Sequence, residues 1–228
     1  MQRAQRRLDD TLHIPAAAHD LAGFREWACS DDFPERGRID FLAGELEVDM
    51  SPEELDTHGS VKTEIATVLQ LLVGRRGLGS VYVDRGRVSS PGANLSVEPD
   101  VVVVFWDTLE RGRVRKVPSK KRPDRFMELE GSPDLVVEIV SEGSVRKDLV
   151  RLPPLYAAAG VPELWLVDAR GEEIRFEIRS PGAVGYETME TDRKGWTLSP
   201  RLGFRFRLRR CEVRPGCWSY RLEHGNAG

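Results

Sequence analysis

The sequence predicts an α/β or α+β fold in which a mixed central β-sheet is flanked by helices. Residues 101–104 and 135–137 are apolar runs typical of strands that are buried on both faces. Apolar residues recur at helical spacing between Val61 and Leu72. Strand and helix patterns also succeed one another along the chain, and strands of this kind must be covered on both faces by other elements.

The composition is that of a soluble globular protein. The chain has 228 residues, and its 34 Lys and Arg against 37 Asp and Glu give a net charge of −3, so the length is ample for one continuous core. Every apolar run is far shorter than the ~20 residues that span a bilayer, which argues against a membrane protein. The N-terminal segment MQRAQRRLDD lacks the apolar stretch of a secretory signal. We therefore expect a cytoplasmic protein with free thiols at Cys29, Cys211 and Cys217.

The first half of the chain predicts a helix, a hairpin and a second helix. Residues 15–28 are rich in Ala, Leu and Phe and favour an amphipathic helix. Residues 36–50 alternate polar and apolar side chains around Gly44, which predicts two strands joined by a tight turn. Residues 51–54 have the Ser, Pro and acids of a helix start, and we expect that helix to run to about Gly77.

The second half predicts a buried strand, an interrupted helix and a further hairpin. Residues 135–139 form the second central strand, after that of residues 101–104. Residues 144–159 have helical composition, with a kink or break expected at Pro153. The segments on either side of Arg170 predict a hairpin.

These elements suggest one main domain with two appendages. We assign residues 1–35 to an N-terminal helical extension, residues 36–210 to the main domain and residues 211–228 to a C-terminal tail. Within the tail, we expect residues 216–228 to fray or to contact a partner.

Familiar nucleotide-binding and hydrolase motifs are missing from the chain. It contains no GxxxxGK[ST], GxSxG or HExxH, and no GxGxxG after a strand. Their absence weakens the ATPase, dehydrogenase, serine-hydrolase and zinc-protease hypotheses.

Two acids lie in the most apolar parts of the sequence. Asp100 precedes the run VVVVF, and Glu138 lies within LVVEIV. An unpaired buried charge costs several kcal/mol, so each carboxylate must pair with a basic residue or bind a cation. Two carboxylates on neighbouring strands would suit Mg²⁺, which takes one or two carboxylates and keeps water and substrate phosphate as other ligands. The residues alone leave both alternatives open.

The most basic segment of the chain lies between Gly112 and Arg125. It could follow a phosphate backbone, or it could be a solvated, mobile insertion. The candidate nucleic-acid contacts in it are Arg113, Arg115, Lys116, Lys120, Lys121 and Arg122.

Three stretches of the sequence are similar to a known family. FLAGELEVDMSP, VEPDVVVV and SPDLVVEIVSEGSVRKDLVRLPPLYAAAGVPELWLVD resemble the Uma2 family, also called DUF820, of bacterial restriction-endonuclease-like proteins. The resemblance covers roughly residues 39–168. It implies a restriction-endonuclease-like PD-(D/E)XK nuclease core with acids that bind Mg²⁺ (or Mn²⁺), a basic residue that assists the attacking water, and DNA as the partner.

The resemblance also assigns roles to particular residues. Asp100 matches the motif aspartate and Glu138 the glutamate of the second motif strand, so these two are the implied metal ligands and, with the early acid Glu45, catalytic residues. His58 lies near a histidine often found in the family. Asp134 belongs to a second Pro-Asp pair and shares a strand face with Glu138, so both His58 and Asp134 are accessory candidates.

The chain departs from the family at the lysine. An ExK arrangement would place Lys at position 140, which is Val140, and the family's DLxxK pattern ends here in Arg151. Arg151 is therefore the implied catalytic basic residue, which could hold the scissile phosphate and steady the charge that develops on phosphorus, although a guanidinium is broader than an ammonium and always protonated. Lys147 on the same helix is the accessory candidate that could substitute.

Three functions are compatible with these features. The first is a Mg²⁺-dependent endonuclease that hydrolyses DNA phosphodiester bonds. The second is a catalytically degenerate nuclease fold that binds nucleic acid or a protein partner without cleavage. The third is a structural homodimer whose buried acids only pair with arginines. A homodimer is also an expectation from the family resemblance.

Overall fold

The fold was determined from a computed structural model, which describes residues 12–226. Strands are the most abundant regular structure among the described residues. In chain order they are β1 (Arg38–Leu42), β2 (Glu45–Asp49), β3 (Gly79–Val83), β4 (Arg87–Ser90), β5 (Leu95–Val97), β6 (Val101–Phe105), β7 (Val114–Pro118), β8 (Phe126–Gly131), β9 (Leu135–Ile139), β10 (Leu164–Asp168), β11 (Arg175–Pro181), β12 (Tyr186–Thr188), β13 (Thr197–Ser199), β14 (Phe204–Arg214) and β15 (Cys217–Asn226).

The helices are short, and several adjoin wide π-helical turns. The α-helices are α1 (Leu21–Ala28), α2 (Val61–Leu69), α3 (Trp106–Glu110) and α4 (Leu152–Ala158). The π-helical turns are Leu55–Ser60 before α2, Gln70–Gly74 after α2, and Lys147–Arg151 before α4. None of the helices in residues 12–226 is long and apolar enough to cross a bilayer.

Two six-stranded sheets and a three-stranded sheet form the framework. The first sheet has the order β2-β1-β5-β4-β8-β7, the second β12-β11-β10-β9-β6-β3, and the third β13-β14-β15. In the second sheet β9 pairs parallel to β10 and antiparallel to β6. The prediction of a mixed sheet whose central strands include β6 and β9 is therefore confirmed.

The central strands of the second sheet are buried on both faces. Val137 on β9 packs in the same cluster as Ile65 of α2, whereas its neighbour Val136 packs with Tyr156 of α4. Successive side chains of a strand point to opposite faces, so one strand contributes to two apolar layers. This explains why the sequence of β9 is continuously apolar except at Glu138.

Both predicted hairpins are present. Ala43 and Gly44 join β1 to β2 with φ values of 53° and 96°. Two positive φ angles in a two-residue loop match the twist of the flanking strands, and the glycine at the second position adopts this conformation without a steric penalty. β10 and β11 pair antiparallel on either side of residues 169–174.

The first two predicted helices begin later than the sequence patterns suggested. The first consists of a 3₁₀ turn (Ala16–His19) followed by α1, whose N-cap Asp20 accepts a hydrogen bond from the amide of Gly23. The second begins at Leu55 rather than near Ser51, because the Glu54 side chain accepts hydrogen bonds from the backbone and caps the π-helical turn there.

The expected interruption near Pro153 is confirmed. The π-helical turn Lys147–Arg151 gives way to α4, and Pro153 lies in the first turn of that α-helix. A proline is tolerated there because first-turn amides have no acceptor within the helix.

The prediction that residues 216–228 fray is wrong for the part of the tail that the structure describes. β15 pairs with β14 from Cys217 to Asn226, and Tyr220 and Leu222 are buried in the core beside Phe206. The apolar residues of the tail alternate with polar ones, which is the pattern of a strand with one buried face. Residues 1–11 of the predicted extension and residues 227–228 of the predicted tail lie outside the described residues.

The packing of β15 predicts a large effect of a single truncation. Leu222→Ala should lower the free energy of unfolding by about 2–5 kcal/mol, because it leaves a cavity in the core. Val213→Ala, near the end of β14 where Val213 is 61% exposed, should change it by less than about 0.5 kcal/mol. Urea unfolding measures both, and equal effects of the two substitutions would contradict the burial of β15.

Candidate active site

The structure brings Asp100 and Glu138 together between neighbouring strands. β6 and β9 pair antiparallel with Val101 opposite Val137, so the register continued by one residue places Asp100 opposite Glu138. The amide of Ile139 donates to Asp100 Oδ2 at 2.8 Å, which fixes this arrangement. Both carboxylates are buried, with exposed fractions of 0% and 1%.

Asp100 is held as a carboxylate by three donors. Its Oδ1 accepts from Arg38 Nη2 at 3.0 Å, and its Oδ2 lies 3.3 Å from His58 Nε2 in addition to the Ile139 contact. Burial favours the neutral acid, but the hydrogen bond from His58 and the charge of Arg38 outweigh it and hold the pKa of Asp100 well below its usual range. Asp100 is therefore ionised at neutral pH.

Glu138 is in the opposite electrostatic situation. Its Oε1 accepts a hydrogen bond from the Tyr156 hydroxyl, while its Oε2 has no hydrogen-bond partner within the described part of the chain. Burial, followed by the negative charges of Asp148 and Asp100, raises the pKa of Glu138 well above its usual range. Glu138 is thus a buried acid that favours protonation.

Asp148 and Lys147 complete the group of buried charges. Burial raises the pKa of Asp148 to about 6, and its Oδ1 has no hydrogen-bond partner among residues 12–226. The Lys147 ammonium donates to Asp40 Oδ2 at 3.1 Å. Burial disfavours its charge, but Asp40, Asp148 and Glu138 together raise the pKa of Lys147, so it stays protonated. Lys147, predicted as an accessory residue, is the lysine that these carboxylates surround.

A cleft of about 360 Å³ lies next to Asp100, although the buried carboxylates and Lys147 are not themselves part of its lining. Arg38 and His58, the two side chains that hold Asp100, belong to its walls, and so does Glu53, which lies 2.8 Å from His58 Nδ1. Burial opposes the charged form of His58, but the contacts with Asp100 and Glu53 raise its pKa overall. His58 reaches this position because it lies in the π-helical turn Leu55–Ser60.

Glu45 and Arg151 are not in contact with the buried carboxylates. They form an ion pair with each other at 2.7 Å, and Arg151 also bonds to Glu47. The Glu45 side chain is 74% exposed at the start of β2.

Asp134 lies away from the pair for a geometric reason. It shares a strand face with Glu138 as predicted, but four residues separate them, which is about 13 Å along a strand. Asp134 accepts hydrogen bonds from the Phe105 amide, Thr108 and Arg201. These hydrogen bonds are sufficient to explain why Asp134 is buried, and no bound ligand is needed to compensate its charge.

The predicted basic segment forms the β7–β8 hairpin and the loop between its strands. Most of its cations are paired with carboxylates, which reduces its local positive charge. The pairs are Arg113 with Asp134, Arg115 with Glu130, Lys120 with Glu26, and Lys121 with Asp31. Lys116 instead lies against aromatic rings, and Arg122 is exposed.

Two acids of the site were missed from the sequence. Asp40 lies between Ile39 and Phe41 on β1, the same apolar context that identified Glu138. Asp148 belongs to the DLxxK-like segment and was passed over in favour of the basic residues around it. Both are buried beside Lys147.

The oxygen donors of this group fit a hard divalent cation. Glu138 Oε2 and Asp148 Oδ1 are buried without hydrogen-bond partners, and the carboxylates repel one another. Residues 12–226 contain no cluster of three or more His, Cys, Asp or Glu side chains that would form a complete metal site. Mg²⁺ does not require one, because it retains water and is commonly bound by one or two carboxylates.

Comparisons with known proteins identify a family and a fold. The model of the Uma2 family, described as "Putative restriction endonuclease", matches residues 21–213. The crystal structure of a protein described as "a putative nuclease belonging to DUF820", from Anabaena variabilis ATCC 29413, has the same fold, with a TM-score of 0.57 and 16% identity over 80% of this chain and 90% of that chain. Among curated proteins the sequence has no match.

The raised pKa values predict that stability falls as the pH rises. The unfolded chain releases the Asp148 proton near pH 3.8, whereas the folded protein keeps it to about pH 6. The native state therefore binds more protons between these values, and so the free energy of unfolding decreases across them, and the raised pKa of Glu138 acts in the same direction. Asp148→Asn, which mimics the protonated acid, should gain stability relative to the wild type as the pH rises from about 4.5 to about 6.5 in the presence of EDTA.

Asp168→Asn provides the control. A hydrogen bond from Arg170 lowers the pKa of Asp168, so Asp168 is ionised throughout this pH window, and the stability difference from the wild type should stay constant. Thermal unfolding at several pH values measures both variants. A constant difference for Asp148→Asn as well would contradict the raised pKa.

Proposed function

The chain belongs to the Uma2 family, and on that premise we propose that it is a metal-dependent endonuclease that hydrolyses phosphodiester bonds of DNA. The observation that supports this most directly is the buried pair Asp100 and Glu138, with Lys147 beside it and a neighbouring cleft whose walls include Arg38 and His58, the side chains that hold Asp100. Burial of several like charges is costly, and sites for chemistry are where such arrangements are found.

Asp100 and Glu138 are the side chains we propose to hold Mg²⁺ or Mn²⁺. A bound ion of this kind polarises the phosphate and lowers the pKa of water so that it attacks at neutral pH. Asp100 is already ionised, and Arg38 and His58 fix its orientation. Tyr156 holds one oxygen of Glu138 and leaves the other without a hydrogen-bond partner in residues 12–226.

Lys147 takes the role of the missing motif lysine. Its ammonium is buried, oriented by Asp40 and charged. A compact ammonium can donate a hydrogen bond to the attacking water or stabilise negative charge that develops on the phosphate. Arg151 lies further along the same turn and is already bonded to Glu45 and Glu47, so we place neither Arg151 nor Glu45 in the proposed metal site.

DNA is the proposed substrate on the strength of the family, and two arginines stand among the acids Asp49, Glu53, Asp84 and Glu98 in the walls of the cleft. Arg38 and Arg85 both line it, in a protein whose net charge is slightly negative. Cations placed at such a position attract phosphate groups locally. We also propose that the protein acts in the cytoplasm and as a homodimer, which would address both strands of a duplex.

The two alternative functions account less well for the buried charges around Asp100 and Glu138. A degenerate fold that binds without cleavage is supported by Val140 in place of the motif lysine, but Lys147 supplies a buried ammonium close to the carboxylates. A structural protein whose buried acids only pair with arginines is supported by the Arg38 and Asp100 contact. It leaves the unpartnered oxygen of Glu138 unexplained.

The first test is the loss of cleavage when Glu138 is neutralised. Glu138→Gln should reduce nicking of supercoiled plasmid in Mg²⁺ or Mn²⁺ by at least about 100-fold, the size of effect expected when charge stabilisation is lost from an active site. Glu163→Gln is the matched control, since Glu163 is also a buried glutamate but lies before β10, at the opposite end of the sheet. Nicking that survives in Glu138→Gln would overturn the proposed site.

A second test separates the roles of Lys147 and Arg151. Lys147→Met should reduce the nicking rate by roughly 100-fold or more because it removes the buried ammonium. Arg151→Lys keeps the charge at a partly exposed ion pair and should change the rate by less than about tenfold. If Arg151→Lys instead increases the rate strongly while Lys147→Met leaves it unchanged, the lysine role belongs to position 151.

A further inference from the structure

A second groove, of about 320 Å³, adjoins the cleft. It lies between β3, at the edge of the second sheet, and the β7–β8 hairpin, at the edge of the first. We call it the aromatic groove, after Tyr82 and Phe126 in its lining. Phe126 is 55% exposed and its neighbour Met127 is 48% exposed, so apolar surface lies open to solvent there.

One turn separates the aromatic groove from the cleft. Asp84 and Arg85 line both, and they join β3 to β4 with φ values of 44° and 49°. Two successive residues other than glycine in the left-handed region are strained. Contacts on either side keep this turn in place, because Lys62 donates to Asp84 at 2.7 Å and the Arg85 guanidinium donates to the backbone carbonyl of Glu35.

The cations of the aromatic groove favour a ligand with negative charge, and its aromatic side chains favour a ligand with a flat ring. The Lys116 ammonium lies 5.8 Å from the ring centres of both Tyr82 and Phe126. Neither Lys116 nor Arg85 forms an ion pair with a carboxylate in the part of the chain that the structure describes. The two acids of the lining are already neutralised, Glu128 by Arg25 and Asp84 by Lys62.

We propose that the aromatic groove binds the base of an unpaired nucleotide that flanks the phosphate in the cleft. This inference rests on the proposed nuclease function and specifies its substrate as DNA that is single-stranded or locally unpaired. A base would stack on the exposed ring of Phe126, and Lys116 and Arg85 would contact the adjoining phosphates. Stacking on an aromatic side chain and cations along the backbone are the two features by which proteins bind single strands.

The test is a binding measurement in which the base is removed. The full chain is titrated, in EDTA to prevent cleavage, into a fluorescein-labelled oligothymidylate and into an abasic strand of the same length. We expect the wild type to bind the oligothymidylate roughly 5- to 100-fold more tightly, as fluorescence anisotropy measures it. Phe126→Leu, which keeps an apolar side chain but removes the ring, should lose this preference.

Trp106→Leu is the matched control. Trp106 is 40% exposed and follows β6 at the end opposite Asp100, so its replacement should leave the preference intact. Equal affinity of the wild type for the two strands, or an unchanged preference in Phe126→Leu, would overturn the inference. Nicking of plasmid by the wild type and its loss in Glu138→Gln would still support the nuclease, so the failure of one proposal is distinguishable from the failure of the other.

Discussion

The balance of buried charge is the constraint on which the rest of the structure depends. Asp40, Asp100, Glu138 and Asp148 lie within one group, together with the cations Arg38 and Lys147. Four negative charges against two positive ones would be very costly in a dry interior. The raised pKa values of Glu138 and Asp148 lower this cost, since a proton on each of these acids leaves two carboxylates against two cations, although Asp148 keeps its proton only below about pH 6. A divalent cation carries the charge of those two protons, so exchanging them for the ion would preserve the balance.

This group also explains local features of the backbone that are otherwise unfavourable. Its members come from separate elements, with Arg38 and Asp40 on β1, Glu138 on β9 and Lys147 beside α4. Two of the π-helical turns carry His58, Lys147 and Asp148. Such turns are rare because their hydrogen bonds are less favourable than those of an α-helix, and they occur frequently at functional sites. Here they direct consecutive polar side chains into the interior, where the carboxylates of both sheets lie.

Sequence reasoning identified the acids Asp100 and Glu138, whose positions depend on strands. It misjudged the residues of the π-helical turn Lys147–Arg151, where the direction of each side chain depends on the type of helix. Glu138 was predictable because a carboxylate within an apolar strand is expected to be buried. The family motif then paired it with Asp100. Asp40 is the exception, since it carried the same signal on β1, a strand as long as β9, and was missed. Arg151 was preferred to Lys147 because the motif spacing pointed to it, but the direction of each side chain depends on a π-helical turn that the residue pattern does not encode. β15 was missed for a related reason, since a strand is recognised most readily when its partner is known, and its partner β14 extends to Arg214, into the segment assigned to the tail.

The distribution of cations restricts how much nucleic acid such a site could hold. The basic residues of the β7–β8 hairpin are mostly paired with acids, so their number in the sequence overstates the positive surface. Arg38, Arg85 and Lys116 instead lie along the cleft and the aromatic groove. Each phosphate that a protein neutralises adds to the salt dependence of binding, so contact with few phosphates implies a shallow dependence. On the proposed function, recognition would therefore rest on a short stretch of backbone and on one stacked base, with the buried carboxylates positioned at the phosphate between them.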